Sequence, residues 1–148
     1  MNKKVIKYSF FILILVLAAA SWIAYREYNR KRSDTADLKP AFEFKAPELI
    51  KAFESNEATA NKTYLDKVIA VDGTVKSVDK DDNGFYTVVL GESGSLSAVR
   101  CSMDSLHNAE AAALQPGATA RVKGICTGFN ADEMLGSDVV LNRCTLKN

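Results

Sequence analysis

The stretch VIAVDGTVKSVDKDDNGFYTVVL, residues 68–90, decides the fold. Ile69, Val71, Gly73 and Val75 alternate with Asp72, Thr74 and Lys76, the period of a strand with one face towards a core and the other towards water. Gly73, in the middle of that run, predicts a bulge or a sharp coil of the kind barrel strands need. Asp81-Asp82-Asn83-Gly84 reads as a turn. Phe85 to Leu90, dense in β-branched and aromatic residues, reads as a second strand.

Downstream, Gly91 to Ser95 turns the chain, and Val99, Cys101 and Met103 mark the inward face of a third strand. Ser102 or Asp104 is placed to cap a helix with Leu106, Ala109, Ala113 and Leu114 along one side, stopped by Pro116-Gly117. Ala120, Val122, Gly124 and Cys126 then alternate with Arg121, Lys123 and Ile125 in a fourth strand, and Val139 to Leu146 makes a fifth. Three strands in a meander, one helix and two more strands is the order of the OB-fold, a five-stranded Greek-key barrel. The fold class is therefore all-β with short helices.

Upstream, Pro47 suits a first helical turn, and Leu49, Phe53, Ala60 and Tyr64 form an apolar stripe, which predicts a helix over 46–61. Residues 46–148 are then the OB-fold domain, 26–45 a juxtamembrane linker and 1–7 a cytoplasmic tail. Residues 8–25 carry no charge, and 16 of these 18 are apolar. Such a helix reaches roughly 27 Å, just under the ~30 Å of a bilayer's hydrocarbon core. Lys3, Lys4 and Lys7 ahead of an apolar stretch from Phe10 to Leu17, with Ala18-Ala19-Ala20 after that stretch, also fit a secretory signal cut after Ala20. Trp22, Ile23, Ala24 and Tyr25 prolong the apolar run past that cut and favour a transmembrane anchor. The expected location is a bacterial-type inner membrane, crossed once, with the C-terminal domain extracytoplasmic, or a secreted chain if the signal is cleaved.

The whole chain carries 19 Lys and Arg against 18 Asp and Glu, an apparent neutrality that hides a division. Residues 1–40 have a net charge of +5 and residues 41–148 of −4. A cationic anchor thus precedes an acidic barrel, whose field disfavours non-specific binding to a nucleic-acid backbone. With 47% apolar and 25% charged residues the chain is neither disordered nor collagen-like.

The blocks Ala58-x-Ala60-Asn61-x-x-Tyr64-Leu65-x-Lys67-Val68-Ile69-x-Val71-x-Gly73-x-Val75, Val99-x-Cys101, Val122-x-Gly124-Ile125-Cys126-Thr127-Gly128 and Val139-Val140-Leu141-x-x-Cys144 resemble the tRNA-anti-like OB-fold family of small membrane-anchored envelope proteins. The likeness runs over about residues 45 to 146. It implies an OB-fold on an anchored, exported domain, and it brings no catalytic residue with it. Residues 130–137 depart from the family pattern as an insertion between strands four and five.

Three cysteines are too few for a disulfide scaffold, and their odd number leaves at least one unpaired within the chain. A symmetric hairpin centred near Leu135 sets Cys126 opposite Cys144, at a separation a disulfide tolerates. Cys101 with Cys144 is the alternative pairing, and three buried thiols are a third.

Several constellations have plain structural readings. Asp79-x-Asp81-x-Asn83-Gly84 matches half of a calcium loop, but the twelfth position is Leu90, and a hairpin turn accounts for it. His107, the lone histidine, cannot build a triad or a zinc site by itself, and a place on the short helix in contact with solvent is expected. No catalytic residue, metal site or cofactor is expected. Phe85 and Tyr86 are the stacking candidates on the OB face, and Arg121 and Lys123, joined by Arg143, would form a small basic patch on strands four and five. Phe129, Met134 and Leu135 on the inserted loop offer apolar contacts for a partner, or else fold back over the barrel end. The expectation is a non-catalytic, membrane-anchored OB-fold binding module with a rim formed by residues 79–84 and 129–138. Its partners would be the bilayer through residues 8–25 and an envelope protein, a glycan or another small ligand. An oligonucleotide- or oligosaccharide-binding domain and a structural subunit of an envelope complex are the alternatives.

Overall fold

The computed structural model describes residues 3–28, 34–132, 134 and 136–147, with side chains from residue 15 onward except that of residue 27. The chain divides into two compact units, Met1–Ser33 and Asp34–Asn148. In the first, Lys3–Tyr28 is a single α-helix of 26 residues, α1. The anchor expected over 8–25 lies in this helix, but the side chains of its first seven residues are outside the described set. Among the described residues no helix is long and apolar enough to cross a membrane.

The second unit holds six strands: β1 (Phe42–Lys45), β2 (Val68–Lys80), β3 (Tyr86–Leu90), β4 (Ala98–Met103), β5 (Thr119–Asn130) and β6 (Asp138–Leu146). β2, β3 and β4 form an antiparallel meander, β4 pairs parallel to β6, β6 antiparallel to β5, and β5 closes on the first half of β2. This is a closed five-stranded barrel in the OB order, as the alternation predicts. Ile69, Val71, Val75, Val88, Leu90, Val99, Val122, Val139 and Leu141 point inward and are buried.

β2 is able to serve two neighbours because it is long. Residues 69–72 carry β1 in parallel on one edge, and from Val75 onward β3 takes over that edge. The irregularity falls between Val75 and Ser77, not at Gly73 as expected. Gly73 is instead a point of close approach, where a Cβ would lie 3.0 Å from that of Ala46.

The expected helix over 46–61 is two helices, α2 (Ala46–Ser55) and α3 (Glu57–Tyr64). Asn56 breaks the run with extended φ of −163° and accepts at Oδ1 from the Thr59 N–H at 2.9 Å, capping the second helix. α2 buries Ala46, Leu49, Ile50 and Phe53, spaced as one helical face. The expected helix after β4 shrinks to one turn, α4 (Asn108–Ala111). Asp104 accepts from the Leu106 N–H at 3.1 Å ahead of that turn, so Leu106 is 75% exposed and Ala111 is the buried residue.

The linker expected over 26–45 is also shorter than the sequence indicates, since Asp34 to Lys45 belongs to the compact unit. A 3-10 turn over Thr35–Asp37 lies against β5 and β6, with Thr35 fully buried. β1 then brings Phe42 and Phe44 onto Tyr64, with ring centroids 5.1 and 5.4 Å away and edge-on geometry.

Candidate functional site

An OB barrel binds through the outward face of its second and third strands, here β3 and β4, and the loops at either end. Because Val88, Leu90, Val99, Cys101 and Met103 face inward, the outward set is Thr87, Val89, Arg100 and Ser102, continued by Ser77 and Asp79 of β2. Thr87 pairs with Ser102 near the 81–85 turn, whereas Ala98 pairs with Asp138 beside the 131–137 loop. The two loops expected to form one rim therefore stand at opposite ends of β4, about 17 Å apart at ~3.3 Å per residue. They bound the face from two sides.

At the first end, the Asp81 carboxylate accepts from the N–H groups of Asn83 and Phe85 at 2.9 and 2.8 Å. This is a side-chain-capped turn, and it commits the oxygen that a calcium loop would have offered. Phe85 is 46% exposed there. Tyr86 is partly buried against the core, its N–H donates to Asn108 Oδ1 at 2.7 Å, and Lys80 Nζ lies 5.4 Å from its ring centre. The ring face that would stack on a base is thus next to an ammonium group. Asn108 also donates to the Gly84 carbonyl at 2.7 Å, which clamps the turn to α4, a role that nothing in its local sequence signals.

The basic patch does not assemble. Lys123 faces outward, but only 5% of it is exposed, because the 34–38 segment lies over it and its ammonium donates to the carbonyls of Ala36 and Leu38 at 2.7 and 2.8 Å. Arg121 is bridged to Glu43 at 2.7 Å and to Asp72 at 3.2 Å. Its guanidinium holds the Glu43 carboxyl below the usual carboxylate range, by a direct hydrogen bond and then by charge. Arg143 approaches Asp104 at 3.4 Å, and Arg100 is paired with Asp138.

At the other end, Phe129 stacks on Phe53 with ring centres 5.2 Å apart, so it belongs to the packing over the barrel end. Met134 is 85% exposed, and Leu135 lies outside the described residues. The loop is seated on the 91–97 turn: the Ser137 N–H donates to Ser97 Oγ and the Ala98 N–H to the Ser137 carbonyl, both at 3.0 Å. Gly136, with φ +90°, allows this approach, since a Cβ there would come within 2.5 Å of the Leu96 backbone.

The expected Cys126–Cys144 bridge is absent, and all three cysteines are buried thiols. Cys126 pairs with Leu141, three positions from Cys144, because the β5–β6 ladder starts with Asn130 opposite Asp138 and shifts register between Gly128 and Cys126; farther on, β6 bulges at Asn142–Arg143, where Arg143 has φ +53°. That bulge returns Cys144 to the inward face, against Gly124. His107 is more enclosed than expected, with 18% of its side chain exposed. Its Nδ1 is 3.0 Å from Glu110 Oε1 and its Nε2 2.9 Å from Asp34 Oδ2. Both carboxylates, Glu110 first, raise its pKa above 6.5. The Ala36 N–H, then His107, lowers that of Asp34.

Among the described residues no group of three or more His, Cys, Asp or Glu side chains is placed to hold a metal ion. A shallow groove of about 280 Å³ lies off the face, between Lys45, Gly73, Thr74, Gly91 and Thr119, where β1 turns into α2.

Among solved structures, the chain is similar to a lipoprotein of Klebsiella pneumoniae subsp. pneumoniae assigned provisionally as nucleic acid-binding, with TM-score 0.57, 17% identity, and coverage of 80% of this chain and 100% of that one. An aspartyl tRNA synthetase from Entamoeba histolytica aligns more loosely, with TM-score 0.40, 12% identity, and coverage of 68% of this chain and 20% of the enzyme. No curated protein matches the chain by sequence. The family model described as tRNA_anti-like matches residues 1–145, so the barrel order and the sequence blocks agree: the chain belongs to the tRNA_anti-like family of OB-fold binding domains.

Proposed function

We propose that this protein is a membrane-anchored, exported, non-catalytic OB-fold module that binds an envelope protein or a small polar ligand across the outward face of β3 and β4. The observation that carries this reading is the state of the cations. Arg100, Arg121, Lys123 and Arg143 are each engaged by a carboxylate or by backbone carbonyls of the same domain. Phosphate binding relies on cations that release counterions to a nucleic-acid backbone, and here each would first have to give up an internal partner. The hydroxyls of Ser77, Thr87 and Ser102, with exposed Phe85 at the margin, suit directed hydrogen bonds and one apolar contact. The uncharged run over 8–25 and the lipoprotein nature of the Klebsiella neighbour support the anchor.

The provisional assignment of that neighbour favours nucleic-acid binding as a second reading. Fluorescence anisotropy with labelled single-stranded DNA and RNA, read across a salt titration, separates the two. No binding at low salt is expected, and binding that weakens steeply as salt rises would overturn the first reading. A photo-crosslinking residue at Thr87 or Ser102 should trap a partner that the same residue at Asp66, off the face, does not. Protease treatment of intact spheroplasts tests export: digestion of the barrel only after lysis would refute it.

A further inference from the structure

The 91–97 turn, at the Ala98 end of β4, is tied down from several sides. Ser97 Oγ donates to Glu54 Oε1 of α2 at 3.1 Å and accepts from the Ser137 N–H at 3.0 Å, so one hydroxyl joins the turn to α2 and to the 131–137 loop. Lys76 Nζ donates to the Ser95 carbonyl. The backbone under Leu96 is therefore fixed, and Leu96 stays 67% exposed instead of folding onto the barrel. Met134 is also exposed, two positions before Gly136, whose backbone abuts that of Leu96. Two large apolar side chains thus share one rim. Scattered exposed leucines carry no message, whereas apolar groups gathered beside a groove with a polar margin have the anatomy of a contact surface.

Next to Leu96, α2 and the turn enclose a groove of about 160 Å³ lined by Pro47, Ile50, Glu54, Glu92, Ser95 and Ser97. Pro47 and Ile50 make its apolar wall, and its charged groups are two carboxylates. Among the described residues no cation lines it, and neither Glu54 nor Glu92 has a cation within ion-pair distance. Lys76 lines the adjoining hollow with Thr74 and Gly91 instead, and Arg100 is paired with Asp138. Residues 41–148 carry a net charge of −4, so the field of the whole domain adds to that of the two carboxylates. An apolar wall beneath uncompensated carboxylates matches the two parts of a lysine or arginine side chain, a methylene stem and a cationic head.

We propose that the rim formed by α2, the 91–97 turn and Met134 is a docking surface for a basic polypeptide segment of a partner protein. A lysine or arginine of that segment enters the groove between Glu54 and Glu92, and an apolar residue beside it packs on Leu96 and Met134. Because the turn holds Leu96 outward before any partner arrives, little ordering is left for binding to accomplish. The surface lies off the outward face of β3 and β4 and uses none of its residues, so failure of crosslinking from Thr87 or Ser102 would leave it standing.

The probe is a fluorescein-labelled Lys-Leu-Lys-Leu-Lys peptide amide, titrated with the full chain in zwitterionic detergent at low salt and read by anisotropy. Saturable binding is expected, weakened about tenfold in Glu54→Gln/Glu92→Gln, at roughly threefold for each exposed ion pair lost. Glutamine keeps an acceptor for Ser97, so this variant retains the attachment of the turn. Leu96→Ser should weaken binding by a further factor of about three, through the apolar contact. Asp79→Asn/Asp82→Asn makes the same change in net charge at the opposite end of β4 and should leave binding unchanged. No saturable binding, equal weakening by the two double variants, or binding indifferent to Glu54→Gln/Glu92→Gln would overturn the proposal. So would a benzophenone amino acid at Leu96 that links the chain to a second copy of itself and not to the peptide.

Discussion

Replacing Gly124 by alanine puts a methyl carbon 2.4 Å from Cys144 Sγ, 3.1 Å from Leu141 Cβ and 3.3 Å from the Asn142 carbonyl oxygen. The φ of Gly124 is outside the left-handed region, so the conflict is one of space and not of backbone conformation. Ordinary heavy-atom contacts lie at about 3.5–4.0 Å, so the overlap with sulfur exceeds roughly 1 Å. Cys144 is fully buried, and relief must come from parting β5 and β6 at the bulge. Overpacking of this kind costs about 1–3 kcal/mol. Restricting the unfolded chain by a glycine-to-alanine change returns about 0.4–1 kcal/mol. The net expectation is about 1–2 kcal/mol of destabilisation, a fall in Tm of roughly 4–8 °C for a domain of this size. Urea denaturation in reducing buffer measures it as a lower midpoint at unchanged slope. Adding Cys144→Ala removes the atom in conflict, and a double-mutant cycle should return a favourable coupling of about 1 kcal/mol or more. A Gly124→Ala protein as stable as the parent, or strict additivity in the cycle, would refute the packing described for this row.

Other perturbations reach the remaining parts of the domain. Lys123→Met leaves the carbonyls of Ala36 and Leu38 without their donor and should cost about 1–3 kcal/mol, with faster amide exchange over residues 35–41. Unchanged exchange there would mean the segment is held by something else. Thermal melts across pH test the His107 and Asp34 pair. The folded pKa of His107 is raised, so its contribution is complete below 6.5 and lost as pH rises through the folded value. That of Asp34 is lowered, so its contribution is complete above 3.8 and lost as pH falls through the folded value. His107→Gln should flatten the alkaline limb, and an unaltered profile would remove the pair as its cause. Phe129→Ala should cost roughly 2 kcal/mol, about half of what a fully buried phenylalanine costs, and leave crosslinking from Thr87 intact. Loss of crosslinking at unchanged Tm would return Phe129 to the ligand site.

The barrel was legible because its strands alternate over long runs, as Ile69, Val71 and Val75 do, and because the helix position distinguishes OB order from a sandwich. What escaped depends on contacts distant in sequence. Alternation rightly turns Lys123 outward, but outward is not the same as solvated when a segment more than eighty positions earlier lies over it. Phe42 and Phe44 sit in a charged, proline-bearing stretch, and it is parallel pairing with residues 69–72 of β2, with the ring of Tyr64 against theirs, that makes a strand of them. The cysteine pairing failed on the register: the ladder leaves the hairpin with Asn130 opposite Asp138, centred on residue 134, and two further shifts, the second at Arg143 with its positive φ, carry it away from symmetry. The candidate face was legible as a place and not as a composition, since pairing with Asp138, Glu43 and Asp104 decides which cations are available.

The short parallel strand β1 has a bearing on self-association. A barrel is free of open edges only where every strand is paired on both sides, and residues 69–72 of β2 would have lacked one partner without Phe42 to Lys45. A fragment cut at the start of α2 keeps all five barrel strands, yet bares a row of N–H and C=O groups beside apolar side chains. Such a row is a template for a strand from another copy. The residues just ahead of the barrel thus exchange that row for the edge of a four-residue strand bearing exposed Glu43 and Lys45, which blunts pairing with another copy, and a soluble form of this domain has to begin no later than Phe42.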